Sequence, residues 1–67
     1  MSDDEIKLNA VAIAEGWYSK EPTEEEWIKA FQHLINTGQC WSLQGWFGRT
    51  AMHLIREGIC KPPPRSE

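Results

Sequence analysis

Apolar residues recur at helical spacing in three stretches of the chain, and each stretch carries its own start and stop signals. Over residues 3–15, Ile6, Ala10 and Ile13 share one face at about 100° per residue, with Trp17 in line to extend it. Leu8, Val11 and Ala12 fall nearly opposite, so this helix is apolar on two sides. One neighbour cannot bury both: either the helix is wedged between two others, or one face meets another subunit. Ser2 and Glu5 have the spacing of a capping box, and Asp3, Asp4 and Glu5 sit where the helix dipole favours carboxylates. Gly16 ends the run.

Pro22 forbids continuation and Thr23 with Glu26 forms a second capping box, so the next helix covers residues 24–37. Trp27, Ile28, Ala30, Phe31, Leu34 and Ile35 make its apolar arc, and Gly38 is placed as a left-handed terminator. The third stretch, WSLQGWFGRTAMHLIREG, predicts a helix over residues 42–57 with Leu43, Phe47, Ala51, Leu54 and Ile55 inward. Trp41, Gly48 and Met52 extend that arc at its edge. Ser42, Trp46, Arg49, Thr50, His53, Arg56 and Glu57 lie opposite, which puts one tryptophan, Trp46, among polar neighbours and at least partly exposed. The pattern therefore predicts an all-α fold: a single domain over residues 1–60 built from three helices, with an extended tail over 61–67 that three prolines keep out of helix.

Size changes what this fold can do alone. Sixty-seven residues bury only about 60% of the surface their unfolded chain exposes, and a core this small seldom supplies more than ~3–5 kcal/mol unaided. Four tryptophans in so short a chain add to the expectation of a homo-oligomer. The net charge of −3 conceals an asymmetry, −5 over residues 1–37 and +2 over residues 38–67. An acidic amino-terminal half argues against broad nucleic-acid binding, which needs a basic stripe to displace phosphate counterions. No apolar run reaches the ~20 residues that span a bilayer, and the acidic start lacks the positive flank of a signal peptide. The expectation is a cytoplasmic protein without membrane contact, in which Cys40 and Cys60 are reduced thiols.

The candidate chemistry is thin. HLINTGQC (residues 33–40) and HLIREGIC (residues 53–60) repeat H-L-I-x-x-G-x-C, and two helices ending by the same glycine device explain the repeat. His33, Cys40, His53 and Cys60 are zinc-ligand types, but six residues separate each histidine from its cysteine, whereas structural zinc sites use close pairs. No metal, cofactor or catalytic set is expected, and the protein is read as no enzyme. A DNA-reading helix-turn-helix fails at Leu34, where that motif needs a small residue, and at Gln39, where it needs an apolar one. Gly45 and Gly48 each cost a helix about 1 kcal/mol against alanine. Either a second backbone crosses closely there, in this chain or another copy, or the helix begins nearer Trp46.

The same stretch carries a resemblance. Thr37-Gly38, Trp41, the run LQGWFGRTA over residues 43–51, and Leu54-Ile55 with Gly58 resemble a signature shared by small uncharacterised proteins encoded by bacteriophages and some bacteria. It covers about a third of the chain and leaves the first helix unmatched. The resemblance implies a phage-linked origin, with the host cytoplasm as the compartment, and no known activity.

The functional expectation is a protein-binding module that engages a host or phage protein through Trp46, Arg49, Thr50 and His53, as an accessory factor or inhibitor. A tryptophan beside an arginine is a composition enriched in binding hot spots. The alternative is a nucleic-acid-associated regulatory factor using Arg49, Arg56, Lys61 and Arg65, with Trp46 stacked on a base.

Overall fold

The computed structural model describes residues 2–63, and among them every regular element is helical. The order is α1 (Asp3–Leu8), α2 (Ala10–Glu15), α3 (Glu24–Thr37), α4 (Gln39–Ser42) and α5 (Gly45–Arg56). The all-α domain is as the periodicity implies, but two of its three helices are each interrupted once.

The first interruption is one residue wide. Asn9 turns to φ −116°, ψ 19°, and its side-chain amide donates to the Glu5 carbonyl at 2.9 Å, beside its own backbone N–H at 3.1 Å. A short polar side chain competing for a helix carbonyl is a recognised way to bend a helix. The bend turns Ile6 in α1 and Ala10, Ile13 and Ala14 in α2 onto α3, all buried. The wedged arrangement does not occur. Val11 and Ala12 are half-covered, Leu8 is left 85% exposed, and Trp17 is 78% exposed instead of extending the core face. Gly16 reverses the chain with its N–H on the Ile13 carbonyl and the Trp17 N–H on that of Ala12, so helical phase stops applying one residue before Trp17.

Helix α3 is the centre of the domain, touching α1, α2 and α4. Its capping box closes in both directions: Thr23 Oγ1 accepts from Glu26 N–H at 3.2 Å, and Glu26 Oε1 accepts from Thr23 N–H at 2.8 Å. Glu26 is held below the usual carboxylate range chiefly by that bond to the Thr23 backbone. Thr23→Ala is expected to lower stability by about 1 kcal/mol, read as a fall of roughly 4–8 °C in thermal midpoint for a domain of this size. At the other box, Ser2 caps Glu5 N–H at 3.1 Å, but the Glu5 carboxylate turns away to accept from Tyr18 O–H and to pair with Lys20 at 3.0 Å. Those two partners, Tyr18 first, lower its pKa and fasten the connection before α3 to α1.

Ala30, Phe31, Leu34 and Ile35 are fully buried along α3. Phe31 sits at the aromatic centre, with ring centroids 4.6 Å from Trp27, 6.1 Å from Phe47 and 6.3 Å from Trp46. Trp27 also donates its indole N–H to the Ala14 carbonyl at 3.3 Å, which ties α2 to α3.

The repeated H-L-I-x-x-G-x-C segments end α3 and α5 alike. Gly38 and Gly58 take φ of 76° and 75°, a region that L side chains avoid at about 1–2 kcal/mol. Their N–H groups donate to Ile35 and Ile55. In both copies the leucine and the cysteine are buried. Cys60 is followed by Lys61, whose backbone N–H and C=O both pair with the Gln32 side chain, at 2.7 and 3.0 Å. The ordered attachment to α3 thus reaches one residue into the expected tail; residues 64–67 lie outside the described part.

The second interruption precedes α5. Leu43 and Gln44 leave helical backbone, with ψ of −171° and 151°, so the helix expected over 42–57 begins late, at Gly45 beside Trp46, and a separate turn, α4, precedes it. Leu43 packs against the core from this extended pair.

Candidate functional site

Starting α5 at Gly45 changes which tryptophan faces outward. Trp46 falls in the first helical turn and leans inward: it is half-buried, its ring stacked on Phe47 at 4.0 Å and edge-on to Phe31. Its indole is part of the aromatic core seam. Thr50, one turn on, is also half-buried, while Arg49 and His53 are exposed. The four residues expected to form one surface are therefore divided: Arg49 and His53 project, Trp46 packs against Phe31 of α3, and Thr50 is half-buried.

The exposed tryptophan on this side is Trp41. Helix α4 carries it over the start of α5, 45% exposed, and Met52, 51% exposed, stands across from it. Together with Gly45, Gly48, Arg49, His53 and Arg56 they line an open groove of about 470 Å³. Trp41 and Met52 supply apolar walls, three basic side chains form the rim, and no carboxylate lines it. Among the described residues neither Arg49 nor Arg56 has an ion-pair partner. The edge of the apolar arc, where periodicity put Trp41 and Met52, is thus the solvent side. The available signal was Gly45, which as a helix start detaches Trp41 from the phase of α5.

No second backbone crosses at Gly45 or Gly48 within the described residues. A methyl group on Gly48 would stand 3.5 Å from Trp41 Cε3, and one on Gly45 would stand 3.4 Å from an Arg49 guanidinium nitrogen. Both are ordinary contacts, so the fold of one chain leaves room for alanine at each position. The glycines form the floor of the groove.

Other candidate chemistry is dispersed. Cys40 and Cys60 are free, buried thiols, and burial pushes both pKa values up, which keeps them protonated and poorly nucleophilic at neutral pH. Cys60 Sγ lies 3.8 Å from the Ile28 carbonyl. Among the described residues no three His, Cys, Asp or Glu side chains gather where they could hold a metal ion. Of the residues named for nucleic-acid contact, Lys61 lines a different groove from Arg49 and Arg56, Trp46 has one face on Phe47, and Arg65 lies outside the described residues. No helix among those residues is long and apolar enough to cross a membrane.

Fold and groove together define a small all-α domain with an apolar, basic-rimmed surface where its last two helices meet. The chain belongs to the family described as Domain of unknown function (DUF7417), which matches residues 8–65. The match takes in α2 to α5, with the whole groove, and leaves out nearly all of α1. No curated protein and no solved structure matches the chain.

Proposed function

We propose that the protein is a phage-associated binding module that acts by occupying a host protein, as an accessory factor or inhibitor, and not by catalysis. The phage link rests on the LQGWFGRTA resemblance. The binding surface is the α4–α5 groove, with Trp41 and Met52 as apolar anchors and Arg49, His53 and Arg56 as the polar rim. Arg49 and His53 carry over from the surface expected on sequence grounds; Trp41 takes the anchoring place expected of Trp46.

The observation that carries this reading is Gly48 in the groove. Gly45 opens α5, as a helix that begins nearer Trp46 has it, but Gly48 lies inside the helix, where glycine lowers stability by about 1 kcal/mol against alanine, and the space around it admits a Cβ beside Trp41. Close approach of a bound partner at that position accounts for it. An aromatic anchor beside arginine is also the composition that concentrates binding energy.

Gly48→Ala separates the two roles. The variant is expected to be more stable by up to ~1 kcal/mol in a urea titration, while the added methyl fills the groove floor and weakens retention of a host protein in affinity capture. Unchanged retention in the stabilised variant would mean that the floor is not contacted.

A further inference from the structure

Along α5 the floor of the groove and its basic rim run side by side. At about 100° per residue, Gly48, Met52 and Gly45 share one strip of the helix surface, and Arg56, Arg49 and His53 share the strip next to it. Trp41 closes the groove on the side of Gly48, its ring carbons 3.5 and 3.7 Å from where a Cβ on that glycine would stand. The groove therefore has two unlike halves, an apolar one made by Trp41, Gly48 and Met52 and a basic one made by Arg49, His53 and Arg56. No carboxylate lines it, not even Glu57, which follows Arg56 in the chain. All three basic side chains are exposed, and among the described residues neither arginine has an ion-pair partner.

We infer, on the reading of the groove as a protein-binding surface, that it takes an acidic segment of the partner, with apolar side chains along one edge and carboxylates along the other. Unpaired arginines beside an apolar wall attract carboxylates and fix the register of the segment that bears them, whereas basic partners are repelled from the same rim. Arginine adds geometry to charge, because its planar fork meets a carboxylate through two parallel hydrogen bonds. The net charge of −3 does not reverse this preference. Exposed charges more than about 8 Å apart are largely screened at physiological ionic strength, so the local rim decides. A nucleic-acid strand fits less well. Its phosphates recur along the whole strand and need cations that continue past the groove, but the strip from Arg49 to Arg56 is only about 10 Å long, and Lys61 lines a different groove.

The test is selection of a randomised library of short displayed peptides on the immobilised full chain. Wild type is run beside Trp41→Ser, Met52→Ser and a charge-reversed protein (Arg49→Glu with Arg56→Glu), each checked for helical signal by circular dichroism. Wild type is expected to enrich peptides rich in Asp and Glu that also carry Leu, Phe or Trp, and added salt should weaken their binding. The charge-reversed protein should enrich Lys and Arg instead, and hold the best wild-type peptide about tenfold more weakly or worse. Enrichment without acidic bias, the same sequences on the charge-reversed protein, or no enrichment at all would overturn the inference. So would a fluorescent oligothymidylate that binds wild type more tightly than any selected peptide. Trp41→Ser, or Met52→Ser if Trp41→Ser loses helicity, should no longer retain the wild-type sequences. Neutral or basic peptides that depend on Trp41 would leave the groove as a binding surface and remove only the acidic partner. Acidic peptides held by both groove variants as firmly as by wild type would show that they sit elsewhere, and the reading of the groove fails as well.

Discussion

Phe31→Ala is expected to leave the protein largely unfolded at room temperature. The side chain is fully buried, and its ring meets three other aromatic rings drawn from α3 and α5. Truncating a buried phenylalanine costs about 3–5 kcal/mol, from lost transfer energy and the cavity left behind. A core of this size supplies about the same amount in total. The neighbours cannot collapse into the gap without parting the seam that joins α5 to α3, because Trp46 and Phe47 pack against Phe31 from one side and Trp27 from another. Far-UV circular dichroism with a urea titration checks this: the expected result is loss of most helical signal before denaturant is added. A variant that retained a cooperative transition near the wild-type midpoint would show that Phe31 is not the centre of the fold.

The second large effect concerns binding. Trp41→Ser and Trp46→Ala remove tryptophans five positions apart, and they are expected to fail in opposite ways. Trp41 is close to half exposed and rests over Gly48, so its loss should leave the helical signal nearly intact. Hot-spot truncation costs about 2 kcal/mol or more, so affinity for a protein bound in the groove should fall by about 30-fold or more. Trp46 is half-buried and stacked on Phe47. Removing it forfeits about 0.5–1.5 kcal/mol of aromatic pairing besides its buried area, and the thermal midpoint should drop clearly. Equal loss of stability in the two variants would contradict this division of roles.

The parts of the fold legible in the sequence are those set by local chemistry at both ends. Helix α3 is the clearest case: Thr23 and Glu26 fix its start, Gly38 its end, and the apolar arc between them is its buried face. The repeated H-L-I-x-x-G-x-C endings were legible for the same reason, since a left-handed glycine and a buried leucine act within one turn. What periodicity does not carry is where a helix pauses. The Asn9 side chain redirects the first helix through a single hydrogen bond, and Leu43 with Gln44 adopt extended backbone for a tertiary reason, the docking of Leu43.

The same gap governs which way the tryptophans face. Helical phase gives an angle around an axis only while the axis continues. Beyond Gly16 it wrongly turned Trp17 inward. Across Leu43 and Gln44 it wrongly joined Trp41 to the edge of the core, and it placed Trp46 by angle alone, although a first-turn side chain can lean onto a neighbouring helix. Arg49 and His53 sit well inside α5, and their exposure was read correctly.

We propose the α4–α5 groove as the surface on which this domain meets a protein partner. The deciding measurement is affinity capture from a bacterial lysate, with wild type beside Trp41→Ser and Trp46→Ala at matched helicity and temperature. Wild type is expected to retain a specific protein, Trp41→Ser to lose it while keeping its helical signal, and folded Trp46→Ala to retain it still. Retention by Trp41→Ser equal to wild type would contradict the groove as the binding surface.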